Sequence, residues 1–159
     1  MVDTPALLEY TNGLQVEGRA RVERLMAGVT ANQPLLEAAV EWGADALLVH
    51  HGWFWKNEPA VLTGMKLRRV RTALDGGFNL IAYHLPLDVH RTYGNNAELG
   101  RLLGIETTGQ RDAAGVPGLL WHGRLESPLA AGDLAGRIET ALRRAPLHLG
   151  PEGGSVETV

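Results

Sequence analysis

Short apolar runs alternate along the chain with segments whose apolar residues recur every three or four positions. The apolar runs at 24–29, 45–49 and 79–83 are nearly continuous, as in strands that are covered on both faces of a parallel sheet. The segments from Pro34 and from Met65 carry apolar residues on one helical face, and glycines stand where each helix would end. This order of strand, helix and strand predicts an α/β protein with a largely parallel central sheet and flanking helices.

The second half of the chain has a weaker pattern. It predicts a helix capped by Asn95 or Asn96, a Gly-rich connector over 107–116, a strand over 119–121, a helix over 133–144, and a strand over 146–149. With 159 residues, the chain is interpreted as a single α/β domain over 1–159.

Composition narrows the classes of function. Hydrophobic residues make up 45% of the chain, the net charge is −3, and there is no basic tract, so nucleic acid and anionic membranes are not expected partners. There are no cysteines, which excludes thiolate zinc sites and a cysteine nucleophile. No apolar run approaches the roughly 20 residues that span a bilayer, and the first residues do not resemble a signal peptide. A cytoplasmic location is therefore expected.

Histidines stand where two of the predicted strands end. His50 and His51 close one apolar run, His84 closes the next, and Asp88 follows four residues later. Because parallel strands present their carboxyl ends at one edge of the sheet, these side chains are predicted to form a metal site. Neighbouring residues on a strand point to opposite faces, so His50 and His51 share a site only if the strand ends there, which Gly52 permits. The alternative is one buried and one exposed histidine.

Several roles stay open at this point. Asp88 is interpreted as a metal ligand, a bridge between two ions, a residue that orients a histidine, or a turn residue. The aromatic residues 53–55 either wall the site, fill a subunit interface or pack in the core. The basic residues over 66–71 are interpreted as a solvated helix face rather than a phosphate site. Three further histidines are interpreted as surface or structural residues: His90, His122 and His148.

Ordered sequence blocks carry a resemblance to a known family. They are Asn12-Gly-Leu-Gln-Val-Glu-Gly18, Gly28-Val-Thr30, Gly43-Ala-Asp-Ala-Leu-Leu-Val-His-His-Gly-Trp-Phe-Trp-Lys56, Gly64-Met-Lys66, His84-Leu-Pro-Leu-Asp88 and Gly94-Asn-Asn-Ala97. The chain resembles the dinuclear metal-centre hexameric proteins, also called GTP cyclohydrolase 1 type 2 homologues. The resemblance implies the fold of that family, a toroidal homohexamer, and His50, His51, His84 and Asp88 as metal ligands. It also implies up to two divalent ions per subunit, with zinc, iron, manganese or nickel as occupants.

The chain departs from this family pattern in two places. By the resemblance, the metal-binding α/β domain over 1–159 is therefore interpreted as a shortened version of a longer two-lobed family member. Only eleven residues precede the first block, and the C-terminal His-x-x-x-Glu block of the family is absent. His148 and Glu152 have the right spacing, but their neighbours do not match that block, so neither is assigned as a ligand. Two divalent ions need roughly eight donors, whereas four side chains hold one ion and leave positions for water.

Three functional hypotheses follow. The first is a metal-dependent hydrolase in which a metal-activated water attacks a small-molecule substrate, with the purine-nucleotide substrate coming only from the resemblance. The second is a non-catalytic metal-binding scaffold or metal-trafficking ring protein. The third is an inactive truncated form that exposes core surface.

Overall fold

The computed structural model describes residues 12–151 and 153–159, and the chain divides into two compact units. The first unit extends to Leu87, and the second runs from Asp88 to Val159. Each unit is built around its own sheet.

Over its described residues, 12–87, the first unit contains four strands and two long helices. In chain order they are β1 (Gly13–Val16), β2 (Leu25–Thr30), α1 (Gln33–Trp42), β3 (Ala46–His51), α2 (Gly64–Gly76) and β4 (Asn79–Ala82). The sheet order is β1-β4-β3-β2, in which β2, β3 and β4 are parallel and β1 is antiparallel to β4. The predicted α/β class, with a largely parallel sheet and flanking helices, is confirmed for this unit.

Local sequence explains where the two helices begin and end. The Asn32 side chain accepts a hydrogen bond from the backbone N–H of Leu35 at 3.1 Å, so it caps the start of α1. Gly43 and Gly77 follow α1 and α2 in left-handed conformations, with φ of 72° and 64°. Residues with a Cβ rarely adopt this backbone conformation, so a glycine at each of these positions allows the helix to end there.

The core of the first unit lies between the helices and one face of the sheet. Leu36 and Ala39 of α1 and Val70 and Ala73 of α2 pack in one buried cluster with Leu47, Val49, Phe78, Leu80 and Ala82. Fully burying a side chain such as Leu47 or Phe78 contributes about 1.5–3 kcal/mol. This packing fixes β3 and β4 side by side and therefore fixes where their carboxyl ends lie.

Asp45 secures the opposite, amino end of β3. Its carboxylate accepts backbone N–H groups of Glu23 at 3.1 Å and Arg24 at 3.0 Å, and it pairs with the Arg19 guanidinium at 3.0 Å. The two backbone hydrogen bonds, followed by that of Arg19, hold the pKa of Asp45 below its usual value of 3.8. The carboxylate thus joins the start of β3 to the chain that enters β2.

We expect Asp45→Asn to reduce the free energy of unfolding in a pH-dependent way. Because the pKa of Asp45 is lower in the folded chain than in the unfolded chain, its contribution is fully present above about pH 4 and is lost as pH falls through the folded value. The difference in denaturant midpoint between wild type and variant should be largest near pH 7 and should shrink below pH 4. Asp75→Asn, at an exposed position, controls for charge removal. An equal difference at pH 7 and pH 3 would contradict this account.

The second unit is built on an antiparallel sheet. A short helix, α3 (Leu85–Asp88), lies where the chain divides, and it is followed by α4 (Asn95–Leu102), β5 (Ile105–Ala113), β6 (Val116–Ala130), α5 (Ala131–Leu142) and β7 (Ser155–Thr158). The sheet order is β5-β6-β7, and both pairings are antiparallel.

For this unit the predictions of helices α4 and α5 and of a strand at 119–121 are confirmed with other bounds, whereas those at 107–116 and 146–149 are wrong. The connector predicted at 107–116 is strand β5 with the hairpin turn at 114–115, and the strand predicted at 119–121 is the middle of the long strand β6. The strand predicted at 146–149 is irregular, and β7 forms instead at 155–158. Gly94, not Asn95 or Asn96, is the N-cap of α4. The helix predicted at 133–144 is α5, displaced by two residues.

The polar composition of β5 explains the largest of these errors. Its central residues are threonine, glycine, glutamine, arginine and aspartate, without a clean apolar alternation, and the pairing with β6 has two register shifts. Such a strand is held by backbone hydrogen bonds to its neighbour rather than by a buried face.

In the part of the chain that the structure describes, no helix is long and apolar enough to cross a membrane.

Candidate metal centre

The structure brings the three predicted histidines of the first unit together. Strand β3 ends at His51, so the condition for His50 and His51 to share a site is met. Parallel pairing places Val49 beside Ala82, and His84 follows two residues after that pair. One ligand nitrogen from each of His50, His51 and His84 lies within 4.8 Å of the others, and all three side chains are partly exposed.

The imidazole rings face one another closely. The centroid of His50 lies 4.6 Å from those of His51 and His84, and the centroids of His51 and His84 are 5.2 Å apart. Nitrogens that bind one zinc ion lie roughly 3 to 3.5 Å apart, since each Zn–N distance is about 2.0–2.1 Å. The separations are close enough for side-chain rotation to complete such a site, so this donor set fits a divalent ion.

Hydrogen bonds orient two of the rings. The Nδ1 of His50 lies 3.0 Å from the backbone carbonyl of Tyr83, and a carbonyl only accepts, so this nitrogen carries the proton and donates. The Nδ1 of His51 lies 3.0 Å from Thr30 Oγ1. A neutral imidazole that donates from Nδ1 has its lone pair on Nε2, which is the arrangement typical of metal-binding histidines.

Sequence reasoning missed the role of Thr30. Thr30 ends β2 and pairs in register with His51 of β3, which places its hydroxyl beside the imidazole. The signal was present in the sequence, because Thr30 stands at the carboxyl end of the preceding parallel strand, just as the histidines do on theirs. The sequence gives no such signal for the backbone carbonyl of Tyr83, because every residue has a backbone carbonyl.

The aromatic loop after β3 divides its side chains between the core and the site. Trp53 is buried, and its indole N–H donates to the Ala31 carbonyl at 2.9 Å. Gln15 fixes the Trp53 backbone on both sides, at 2.7 Å to its N–H and 2.9 Å to its carbonyl. The Trp55 ring meets His84 edge-on at 5.1 Å and lies 6.4 Å from His51. Of the interpretations left open, core packing therefore applies to Trp53, and a wall of the site applies to Trp55.

Glu58 and Lys66 also hold the aromatic loop that follows β3. The Glu58 carboxylate accepts the backbone N–H groups of Phe54 at 2.9 Å and Trp55 at 3.3 Å, and Lys66 Nζ lies 3.5 Å from it. Lys66 also donates to the Pro59 carbonyl at 2.7 Å, and its side chain is only 16% exposed. The prediction that Lys66 belongs to a solvated helix face is therefore wrong. These contacts support the left-handed backbone of Phe54, with φ of 63°.

Asp88 ends the short helix α3, and its carboxylate accepts a hydrogen bond from the Asn95 side-chain amide at 2.8 Å. Across residues 12–151 and 153–159, the group that could hold a metal ion consists of the three histidines, and Asp88 is not a member of it. The role of Asp88 as a ligand stays a prediction.

The remaining histidines have other surroundings. His90 Nδ1 accepts the backbone N–H groups of Thr92 at 3.2 Å and Tyr93 at 3.0 Å, which fixes a turn. His122 Nδ1 lies 3.2 Å from the Thr108 hydroxyl, and His148 is exposed. Their interpretation as structural or surface residues agrees with this arrangement. Glu152 lies outside the described residues.

A family model matches most of the chain. The family is Duf34/NIF3 (NGG1p interacting factor 3), and the match covers residues 9–159. With an α/β unit that gathers three histidines at the ends of its parallel strands, the chain belongs to the Duf34/NIF3 family.

Curated relatives are longer than this chain. A GTP cyclohydrolase 1 type 2 homolog of Vibrio cholerae is 51% identical over 151 residues, which cover 93% of this chain and 59% of that protein. The homolog of Escherichia coli K12 is 46% identical over 156 residues, which cover 98% of this chain and 61% of that protein. The chain thus spans about three fifths of the length of these relatives, and the resemblance stated from the sequence blocks is confirmed.

Solved structures show the same fold. The protein ybgI, described as of unknown function, superposes with a TM-score of 0.85 at 46% identity, covering 94% of this chain and 59% of that one. TTHA1606 from Thermus thermophilus superposes with a TM-score of 0.79 at 37% identity, with the same two coverages. The expected fold class is confirmed by both.

Proposed function

We propose that this chain binds a divalent metal ion through His50, His51 and His84 and forms the metal-binding part of a hydrolase. The observation that carries the proposal is the convergence of three imidazoles whose nitrogens lie within 4.8 Å of one another. Three protein ligands are the usual set of a catalytic site, because a position then remains for water or substrate. The sequence block His84-Leu-Pro-Leu-Asp88 adds Asp88 as a fourth donor in this proposal.

The chemistry follows from the donor set. An ion held by neutral imidazoles acts as a Lewis acid that activates water for hydrolysis near neutral pH. The residues of this chain prepare the ligand atoms: the Tyr83 carbonyl and the Thr30 hydroxyl orient His50 and His51. The Trp55 ring contacts the imidazole of His84 edge-on and forms a wall beside this ligand.

The substrate class in this proposal comes from the relatives. Relatives that are 51% and 46% identical over the aligned residues are named GTP cyclohydrolase 1 type 2 homologs, so GTP is the first substrate to assay. A homohexameric ring, a small-molecule substrate and a cytoplasmic location stay predictions that accompany this function. Zinc, iron, manganese and nickel are the candidate ions. Imidazole suits zinc, iron and nickel, whereas manganese prefers oxygen ligands such as the carboxylate of Asp88.

Metal content per chain tests the proposal directly. Elemental analysis of the purified chain, reloaded with zinc and then desalted, should give about one ion per chain with His50, His51 and His84 as ligands. The double variant His50→Ala/His51→Ala should lose at least about nine tenths of it, since the two donors that remain, His84 and Asp88, hold an ion weakly. The matched control is His122→Ala/His148→Ala, which removes two histidines outside the group and should keep the metal.

Circular dichroism of both double variants checks that loss of metal is not loss of fold. Metal-free wild-type protein after reloading, or metal retained by His50→Ala/His51→Ala, would overturn the proposed site. Bound metal without turnover of GTP would favour the scaffold or trafficking hypothesis over the hydrolase.

A further inference from the structure

The second unit contains a cavity that is separate from the histidines. Its volume is about 700 Å³, within the range of about 300–1,000 Å³ typical of small-molecule sites. Helix α4 and the preceding turn form one side of it, and strands β5 and β6 form the other. The polar side chains that line it include Arg91, Arg101, Thr107, Thr108, Gln110 and Trp121.

Two N–H donors of these lining residues lack acceptors. Gln110 Nε2 and Trp121 Nε1 are shielded from solvent, and neither has a hydrogen-bond partner among the described residues. Gln110 and Trp121 are cross-strand partners in β5 and β6, so their side chains are neighbours. A buried N–H without an acceptor is costly, and in a folded protein it normally has a partner, a water or a ligand.

The charged residues of the cavity leave one cation available. Arg101 forms an ion pair with Glu98, which neutralises both side chains. Within 88–151 and 153–159, Arg91 has no carboxylate within 4.0 Å, and it is exposed at the rim of the cavity. The cavity therefore combines an unneutralised guanidinium with the Thr107 hydroxyl, beside two N–H groups that lack acceptors, and its one carboxylate is already paired.

From these features we infer that the cavity binds a phosphate ester. The excess of donors calls for an anion that is rich in acceptor oxygens, and a phosphate offers three of them where a carboxylate offers two. The volume has room for an organic group beside the phosphate. The site lies wholly in the second unit, so it does not depend on the proposed metal centre.

Isothermal titration calorimetry of the full chain tests this inference with three probes: adenosine monophosphate, inorganic phosphate and adenosine. We expect saturable binding of adenosine monophosphate, weaker binding of inorganic phosphate, and none of adenosine. Arg91→Gln should weaken the binding of adenosine monophosphate about tenfold or more, because it removes a charged hydrogen bond. Trp121→Phe should weaken it as well, since it removes the indole N–H and keeps a ring.

Arg111→Gln is the matched control. Arg111 lies on β5, is exposed, lines no part of this cavity, and has no carboxylate within 4.0 Å in the described chain. Its variant removes the same charge and should bind adenosine monophosphate as wild type does. His50→Ala/His51→Ala should also bind it unchanged, which separates this site from phosphate bound to a metal. Absence of binding by wild type, equal binding of adenosine, or an equal loss in Arg111→Gln would overturn the inference.

Discussion

Replacing Asn79 by leucine is expected to lower the free energy of unfolding by about 3 kcal/mol, since three hydrogen bonds are lost in a buried place. Asn79 is 8% exposed. Its side-chain oxygen accepts the Gly18 backbone N–H at 3.0 Å, and its amide donates to the carbonyls of Arg19 at 2.8 Å and Asp45 at 3.0 Å. Leucine fills a similar volume but satisfies none of these groups.

The position of Asn79 explains why the effect should exceed that of an ordinary polar residue. It begins β4 and ties that strand to the segment that follows β1 and to the residue that precedes β3. Urea denaturation followed by tryptophan fluorescence suits the measurement, because Trp42, Trp53 and Trp55 all lie in the first unit. Asn57→Leu, at an exposed position, should change stability by less than about 0.5 kcal/mol. A similar small change in Asn79→Leu would show that the three hydrogen bonds are not formed.

The first unit could be predicted from sequence because each of its signals is local. The apolar runs of β3 and β4, Asn32 before α1, and the glycines after both helices agree with one another. Strand β1 could not be recognised, because its four residues, Gly-Leu-Gln-Val, form neither an apolar run like that of β4 nor a stretch long enough to show a periodicity. It forms by antiparallel pairing with β4, which is a contact between residues far apart in sequence.

The second unit was harder for the same physical reason. The polar strand β5 is defined by its pairing with β6 across a two-residue turn, and neither its composition nor its period indicates a strand. Helix α5 was recognised because its apolar residues do follow the helical period. The helix from Asn95 and the apolar strand segment at 119–121 were also recognised from local signals, whereas β5 and β7 carry no such signal.

In the candidate site, the histidines could be predicted from the sequence pattern, whereas the residues that hold the neighbouring loop could not. His50, His51 and His84 could be found because they stand at the ends of apolar runs that become parallel neighbours. The residues that hold the loop after β3 could not be found in this way. Glu58 reaches back to the backbone of Phe54 and Trp55, and Gln15 holds Trp53 from a strand 38 residues earlier. Such contacts depend on how the loop folds, which local periodicity does not determine.

Gly52→Ala is expected to damage both the stability of the first unit and its metal binding. A Cβ at this position would lie 2.6 Å from the Cβ of Ala82 and 2.2 Å from the side-chain oxygen of Gln15. Ala82 is buried in β4 and cannot move away, so the added methyl should cost about 1–3 kcal/mol of unfolding free energy. Displacement of Gln15 breaks its two hydrogen bonds to Trp53, which frees the loop that places Trp55 against His84. Metal affinity should then fall about tenfold, as for other supports of metal ligands.

The two contacts can be separated by exchanging methyl groups. The double variant Gly52→Ala/Ala82→Gly removes the 2.6 Å contact and keeps the one with Gln15, so it should recover part of the stability but little of the metal affinity. Gly136→Ala is the control for a glycine with open space around it, and in helix α5 it should raise stability by about 0.5–1 kcal/mol. Thermal unfolding by circular dichroism and zinc titration give the two readouts. If Gly52→Ala has the melting temperature and the zinc affinity of wild type, the close packing of Gly52 against Gln15 and Ala82 does not support the metal site.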